Sequence, residues 1–226
     1  MRWGSRMSDP GRLPVVVLIS GGGTNLQALI DAAAAGQPFA IAGVVSNRPD
    51  AFGLTRAAQA GIPTAVVDHT GYPDRESFEA SLADGVDRFA PGLVCLAGFM
   101  RILTPGFVGR YRGRMLNIHP SLLPRYRGLH THQRAIDAGD ADHGATVHFV
   151  TEELDGGPRI VRALVPVRPG DTAEVLAARV LEKEHRIYPL AVRWFAEGRL
   201  RLGTAGAELD GRVLAEPVAL EAVEPE

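Results

Sequence analysis

The sequence predicts a doubly wound α/β domain, in which a mostly parallel sheet carries helices on both faces. Short runs rich in β-branched residues alternate with helical patterns from residue 14 to residue 99, which is the order of successive β-α-β units. Strand runs such as "VVVLI" are apolar at every position, as is typical of strands buried on both faces. The chain has 226 residues, enough for one domain with a substantial core.

The predicted elements follow one another along the chain. Strand runs are "PVVVLIS", "FAIAGVVSN", "IPTAVVD" and "PGLVCLAGF", and the helical patterns between them are "TNLQALIDAAAAG", "AFGLTRAAQAG" and "RESFEASLADGVDRFA". Gly36 and Gly61 stand where helix C-caps are expected. After "MLNIHPSLLP" come an arginine-rich loop, a short helix and two more runs, "GATVHFV" and "RIVRALVPV". We expect both runs to continue the sheet.

The C-terminal part of the chain predicts a long amphipathic helix over residues 172–197. Apolar residues recur there at helical spacing, namely Leu176, Val180, Ile187, Ala191 and Trp194. Glu184 falls on the same stripe. Asp210-Gly211 stands between two short strand-like runs and predicts a hairpin, which we expect to close one edge of the domain. Residues 1–12 lack a periodic apolar pattern, so they are predicted to be a flexible extension before a single domain spanning 13–226.

Composition narrows the classes of partner. With 24 Lys and Arg against 26 Asp and Glu, the net charge of −2 provides no positive field for a nucleic-acid backbone. The single cysteine, Cys95, excludes a disulfide framework within the chain. The aliphatic run "VVVLI" is far shorter than the roughly 18 residues that a membrane span needs. These counts indicate a cytoplasmic protein that binds neither nucleic acid nor membranes.

A glycine-rich turn, "LISGGGTNLQ", joins the first predicted strand to the first predicted helix. Backbone N–H groups at a helix N-terminus bind anions, so a phosphate would fit here. Leu26 stands where the dinucleotide fingerprint needs its third glycine, and Thr24-Asn25 replaces the Lys-Ser/Thr pair of a nucleoside-triphosphate loop. The turn therefore predicts a monophosphate site, with Thr24 and Asn25 capping the helix and contacting the ligand. A tight turn with an ordinary helix cap is the equally weighted alternative.

The run "MLNIHPSLLP" places Asn117 and His119 two residues apart within a predicted strand. Alternate residues of a strand share a face, so both side chains are expected to project beyond the carboxyl end of the sheet, where α/β folds bind ligands. An amide N–H and an imidazolium aimed at one point suit an oxyanion that develops on a carbonyl carbon. A charged imidazole near neutral pH needs a carboxylate beside it, and Asp155 in the tight turn "ELDGGP" is the candidate. The pattern indicates acyl-group transfer.

Each of these residues also has a structural interpretation. A histidine near a strand end is more often a satisfied structural residue, and Asp-Gly-Gly is commonly just a turn. His130 and His132 have the spacing of metal ligands on a strand, but no cysteine or clear carboxylate completes a set, so no metal site is predicted. Cys95 is predicted to be a core residue without a catalytic role.

Six longer stretches carry a resemblance to a known family. They are "VVVLISGGGTNLQALIDA", "VSNRPDAFGL", "LAGFMRILTPGFV", "NIHPSLLPRYRGLHTH", "HGATVHFVTEELDGGP" and "EHRIYPLAVRWF". In this order they closely resemble the phosphoribosylglycinamide formyltransferases, or glycinamide ribonucleotide transformylases, from about residue 13 to about residue 212. The resemblance implies an enzyme of purine synthesis that passes the formyl group of 10-formyltetrahydrofolate to the amine of glycinamide ribonucleotide, without a metal.

The resemblance also implies a function for individual residues. Asn117 and His119 would stabilise the tetrahedral oxyanion, while Asp155 would support the histidine and order a water that carries protons. The positions that match the ribonucleotide site, in the N-terminal half and on the last helix, are Gly23, Thr24, Asn25, Leu26 and Glu184. The positions that match the folate site are Arg75, Met100, Arg101, Ile102, Leu103 and residues 150–155, beside Asn117.

Two related enzymes and one non-enzyme are the alternatives. Arg127 stands where some phosphoribosylglycinamide formyltransferases have proline. The stretch around it has a form that is familiar from methionyl-tRNA formyltransferase. That enzyme has an additional C-terminal domain and formyltetrahydrofolate hydrolase an additional N-terminal one, and we expect the 226 residues to have room for neither. A nucleotide-binding module would use the glycine-rich turn without needing Asn117, His119 and Asp155 together. The oligomeric state stays open, with a homodimer as one candidate.

Overall fold

The computed structural model describes residues 11–223, whose main feature is an eight-stranded sheet. The strands are β1 (Leu13–Ile19), β2 (Phe39–Ser46), β3 (Thr64–Val66), β4 (Leu93–Leu96), β5 (Met115–His119), β6 (Asp142–Phe149), β7 (Arg159–Pro166), β8 (Leu200–Gly203), β9 (Gly206–Leu209), β10 (Arg212–Val213) and β11 (Val218–Ala219). The main sheet has the order β11-β7-β6-β5-β4-β1-β2-β3. Only the β5–β6 and β6–β7 pairings of this sheet are antiparallel, so the predicted mostly parallel sheet is confirmed.

Helices cover both faces of the sheet, as predicted. They are α1 (Thr24–Ala34), α2 (Phe52–Gln59), α3 (Arg75–Asp87), α4 (Pro105–Arg110), α5 (Thr131–Asp137) and α6 (Ala173–Ala196). One buried cluster joins α1, α2 and α6 to one face, and a second joins α3 and α4 to the other. Gly36 and Gly61 follow the C-caps of α1 and α2 with φ of 90° and 69°, the left-handed conformation expected at those positions.

Strand β5 divides its side chains between the two faces. Leu116 and Ile118 belong to the α1/α6 cluster, whereas Met115 belongs to the α3/α4 cluster. Asn117 and His119 therefore face the α3/α4 side, because alternate residues of a strand share a face. Both residues lie within β5, so the expectation that they project beyond the end of the sheet is wrong. They lie on its face because β6 runs antiparallel to β5 and extends the sheet beside them.

The C-terminal segment forms a second, three-stranded sheet with the order β10-β9-β8. Asp210 and Gly211 have φ of 51° and 77° between β9 and β10, so the predicted hairpin is confirmed. The hairpin is not part of the main sheet: Leu200 and Ala207 pack into the same core as α6, and β11 is the strand that pairs with β7 at the sheet edge. The predicted extension, residues 1–12, lies outside the described residues except for its last two. No helix between residues 11 and 223 has the length and apolarity to cross a membrane.

Tyr188 ties α6 to the centre of the sheet. Its side chain is fully buried, and its hydroxyl lies 2.9 Å from the Leu96 carbonyl oxygen and 3.1 Å from that of Leu116. We expect Tyr188→Phe to lower the free energy of unfolding by about 1–2 kcal/mol, because buried acceptors lose their donor. Urea denaturation measures this, with the half-buried Tyr72→Phe as control. Equal stabilities of the two variants would contradict the assigned contact.

Candidate active site

Four polar side chains from three segments meet on the α3/α4 face of the sheet. Asn117 Nδ2 lies 3.1 Å from His148 Nε2, in register across β5 and β6. Asp155 Oδ2 lies 3.5 Å from His119 Nδ1, and its other carboxylate oxygen lies 3.8 Å from His148 Nε2. The structure thus brings together the three residues predicted to be catalytic and adds His148, which the sequence analysis missed.

Burial determines the protonation state of His148. Its side chain is 3% exposed, and desolvation lowers its pKa to about 4, so the ring is neutral at pH 7. Nδ1 lies 2.9 Å from the Phe149 carbonyl oxygen and must donate to it, which leaves Nε2 to accept from Asn117. The Asn117 amide is therefore held in one orientation, and its second N–H remains available to a ligand.

His119 is oriented by acceptors on both sides of its ring. Nε2 lies 2.9 Å from the Tyr126 carbonyl oxygen, while Nδ1 faces Asp155. The expectation that Asn117 and His119 aim their donors at one point is not met in this structure, because the arginine-rich loop supplies the Tyr126 carbonyl and occupies Nε2.

Asp155 reaches this site through a tight loop. Its side chain is 8% exposed, its φ is 50°, and one carboxylate oxygen accepts from Gly128 N–H at 2.9 Å. A Cβ at Gly157 would clash with the Phe149 carbonyl oxygen, so the backbone can turn here only with glycine. Arg127 and Glu153 form an ion pair beside this contact. Loop residues 150–157 are thus folded back over the face of the sheet.

A cavity on this face, here called the sheet-face cavity, lies between two segments. Arg101, Ile102 and Leu103 line one side and residues 150–155 line the other, together with Asn117 and His148. Ile102 is 56% exposed although it is a large apolar side chain. An apolar slot with a few polar groups is suited to a flat heterocycle. Arg75 is exposed at the start of α3 and is not part of the described lining of this cavity.

A second cavity, here called the switch-point cavity, lies where the strand order reverses between β1 and β4. It is lined by residues 20–25 after β1, Arg48 after β2, and Ala97, Gly98 and Met100 after β4. Ligands of open α/β sheets bind at such a point. Gly23 is the N-cap of α1 with φ of 70°, and a Cβ there would lie 2.7 Å from Gly53 Cα.

Capping of α1 differs from the prediction. Thr24 and Asn25 were expected to cap the helix, but both lie inside it and the N-cap is Gly23, which has no side chain. The first N–H groups of the helix, including that of Leu26, have no intrahelical acceptor. The turn is compact because Gly23 packs against Gly53, and these N–H groups are left for an anion in the switch-point cavity.

Asn25 and Glu184 form a buried pair beside this cavity. Asn25 Nδ2 donates to Glu184 Oε2 at 2.6 Å, and the two residues are 9% and 7% exposed. Desolvation raises the pKa of Glu184, which the Asn25 hydrogen bond only partly opposes. Asn25 Oδ1 is buried without a hydrogen-bond partner among the described residues. Such an atom costs free energy unless a ligand or water pairs with it.

His130 and His132 both belong to the region of α5. His130 is the N-cap of α5 and His132 lies inside that helix rather than on a strand. His132 Nδ1 lies 3.1 Å from His143 Nε2, and burial lowers the pKa of both rings, that of His143 to about 4. Within the described chain, no group of three or more His, Cys, Asp or Glu is placed to hold a metal ion. Cys95 is fully buried on β4, and burial raises its pKa to about 12.

Comparison with known proteins shows the family of the chain. A sequence-family model described as formyl transferase matches residues 13–192. The phosphoribosylglycinamide formyltransferase of Escherichia coli (strain K12) is 54% identical over 201 residues, which cover 88% of this chain and 95% of the relative. The Coxiella burnetii phosphoribosylglycinamide formyltransferase, solved in complex with CHES, superposes with a TM-score of 0.89 at 52% identity, covering 92% of this chain and 99% of that one. Glycinamide ribonucleotide transformylase 1 from Symbiobacterium toebii superposes with a TM-score of 0.85 at 46% identity, with 88% and 95% covered.

The chain therefore belongs to the formyl transferase family. Its relatives within that family are phosphoribosylglycinamide formyltransferases, so the resemblance inferred from the six sequence stretches is confirmed. The protein is an enzyme that transfers a formyl group in purine biosynthesis.

The buried state of Glu184 makes stability depend on pH. Because its folded pKa lies above the ordinary value of 4.5, its contribution to stability is present below that pH and is lost as the pH rises through the folded pKa. We expect the unfolding free energy of Glu184→Gln, relative to wild type, to increase from pH 4.5 toward neutral pH. Denaturant unfolding across this range measures the difference. The exposed Glu182→Gln should give a flat difference, and a flat result for Glu184→Gln would refute the assignment.

Proposed function

We propose that the protein transfers the formyl group of 10-formyltetrahydrofolate to the amine of glycinamide ribonucleotide, giving formylglycinamide ribonucleotide and tetrahydrofolate. The observation that carries the proposal is that Asn117 and Asp155 line the sheet-face cavity, with His119 beside Asp155, and that this cavity adjoins the glycine-rich turn. Met100 lines the switch-point cavity and the next residue, Arg101, lines the sheet-face cavity. Two ligands bound in these cavities would meet beside Asn117.

The switch-point cavity suits the ribonucleotide. A phosphate would accept N–H donation at the turn formed by Gly23, Thr24, Asn25 and Leu26. Glu184 would accept a hydrogen bond from a ribose hydroxyl, and the unpaired Asn25 Oδ1 offers another acceptor. Arg48 also lines this cavity, and Asp50 pairs with it at 2.8 Å and offsets its charge.

The sheet-face cavity suits the folate. The pterin would lie between residues 101–103 and residues 150–155, where backbone groups flank an apolar slot. Met100 and Ile102, which are 65% and 56% exposed, would contact the remainder of the cofactor. Arg75 would pair with a folate carboxylate outside the cavity, at the exposed start of α3.

The reaction follows from the donors that surround the formyl carbon. The substrate amine attacks that carbon, a new C–N bond forms, and the carbonyl oxygen becomes an oxyanion. The free N–H of Asn117 donates to it, and His119 stabilises it by charge and, after exchanging its Tyr126 partner, by donation. Collapse of the intermediate breaks the bond to the folate nitrogen. The proton leaving the amine passes to that nitrogen through a water held by Asp155.

Domain organisation and cellular context complete the proposal. Residues 13–226 act as one domain, with the ribonucleotide bound mainly by the N-terminal half and the folate mainly by the C-terminal half. The single cysteine and the charge balance fit a cytoplasmic enzyme that needs no nucleic acid or membrane. A homodimer is compatible with this arrangement because each chain supplies every proposed residue of its own site.

Formyl transfer tests the proposal directly. Wild type should produce tetrahydrofolate from 10-formyltetrahydrofolate only when glycinamide ribonucleotide is present, followed spectroscopically. Asp155→Asn keeps the size of the side chain but removes its charge, and should lower kcat about a hundredfold to a thousandfold. The exposed Asp84→Asn on α3 is the matched control and should retain full activity.

Two results of the same assay would contradict the proposal. Turnover that is independent of the acceptor would identify a hydrolase. Absence of turnover with this acceptor would favour methionyl-tRNA formyltransferase or a nucleotide-binding module. A histidine variant separates the last two, because His119→Ala should lower formyl transfer to methionyl-tRNA by a tRNA enzyme but leave ligand binding by a nucleotide-binding module intact.

A further inference from the structure

Residues 100–103, which form one side of the sheet-face cavity, are held at both ends by buried polar side chains from other elements. At the first end, Met100 N–H donates to Ser20 Oγ at 2.8 Å, and Ser20 is 5% exposed directly after β1. At the far end, Thr104 N–H donates to Glu79 Oε1 at 2.8 Å, and the Thr104 hydroxyl donates to the other carboxylate oxygen. Neither Ser20 nor Glu79 belongs to the lining of this cavity.

Glu79 is a buried carboxylate, since it lies on α3 and is 5% exposed. A buried charge is costly unless hydrogen bonds compensate it, and here Thr104 occupies both oxygens. Thr104 is also the N-cap of α4, where its Oγ1 accepts from Phe107 N–H at 3.3 Å. Glu79 therefore fixes the point at which the segment ends and α4 begins.

Between the two contacts the segment presents large apolar side chains to solvent. Met100 is 65% exposed and Ile102 is 56% exposed, although apolar side chains of this size usually pack inside. Backbone contacts at both ends keep them from collapsing onto the core. We propose that Glu79 and Ser20 are positioning residues that hold residues 100–103 in the conformation that binds the folate. This inference rests on the proposed function and deepens its folate site.

Ser20 and Glu79 differ in the number of substrate sites that they support. Ser20 also donates to Asn47 Oδ1 at 2.6 Å, precedes the glycine-rich turn and lines the switch-point cavity, so it links the two substrate sites. Among residues 11–223, the Glu79 carboxylate forms its hydrogen bonds with Thr104, on the folate side. Arg75 stands four residues before Glu79 on α3 and so on the same helix face. The Glu79 contact therefore also sets the position of Arg75 relative to the segment.

Steady-state kinetics with both substrates varied tests the inference. Glu79→Ala should raise the KM for 10-formyltetrahydrofolate about tenfold, leave the KM for glycinamide ribonucleotide unchanged and change kcat less than about twofold. Glu79→Gln keeps one acceptor and should recover most of the affinity. Ser20→Ala should raise both KM values. The exposed Glu76→Ala, on the first turn of the same helix, is the control and should match wild type.

Equilibrium titration of tetrahydrofolate without acceptor gives a readout that does not depend on turnover. Its Kd should rise in Glu79→Ala by the same factor as the KM. Thr104→Val, which removes the hydroxyl but keeps the N–H donor, should shift both values in the same direction and serves if Glu79→Ala unfolds. Two results for Glu79→Ala would overturn the inference and leave the proposed function standing. One is an unchanged KM and Kd for the folate, and the other is an equal rise in the KM values of both substrates. A wild-type protein that neither binds tetrahydrofolate nor transfers a formyl group would overturn both.

Discussion

The carboxylate of Asp155 is the point on which the rest of the site depends. It approaches His119 and His148 and accepts the N–H of Gly128. One buried negative charge thereby joins the loop after β5, the loop after β6 and two strands of the sheet. An isolated carboxylate in this position would be strongly disfavoured by desolvation. The Asp155 carboxylate can be buried because it has these partners and because the backbone turns tightly up to Gly157.

The two histidines of the site differ in what surrounds their ring nitrogens. His148 has a backbone acceptor on one nitrogen and an amide donor on the other, so the neutral ring satisfies both. His119 Nε2 faces the Tyr126 carbonyl oxygen, and its Nδ1 faces the Asp155 carboxylate. His148 therefore orients the Asn117 amide, whereas His119 is the ring that lies closer to Asp155.

Local sequence patterns predicted most of the elements but not their pairing. The apolar runs and glycine caps predicted strands β1 to β7, most helices and the Asp210-Gly211 turn, because these depend on neighbours in the chain, whereas α4 and β11 were not predicted. The antiparallel direction of β6 did not follow from its own residues. That direction places Asn117 on the face of the sheet and brings His148 opposite it. In the sequence alone, His148 in "GATVHFV" resembles an ordinary strand residue. Only the strand register identifies it.

Predicting the contacts of the site residues required the tertiary structure. Asp155 was predicted from its turn, and its position beside His119 agrees with that prediction. Thr24 was predicted as a cap, but Gly23 takes that position because Gly53 packs too closely for a side chain. Glu79 gave no signal, since an acidic residue on an amphipathic helix normally faces water. Its burial depends on Thr104, 25 residues away in the sequence.

The most direct test of this account is the coupling between His119 and Asp155 in formyl transfer. We would measure kcat for His119→Ala, Asp155→Ala and the double variant, with folding of each checked by thermal unfolding. If the carboxylate acts through the imidazole, each single variant loses about a hundredfold to a thousandfold. The double variant then loses little more than the worse single variant. Losses that multiply in the double variant would mean that the two residues act independently and would contradict the account.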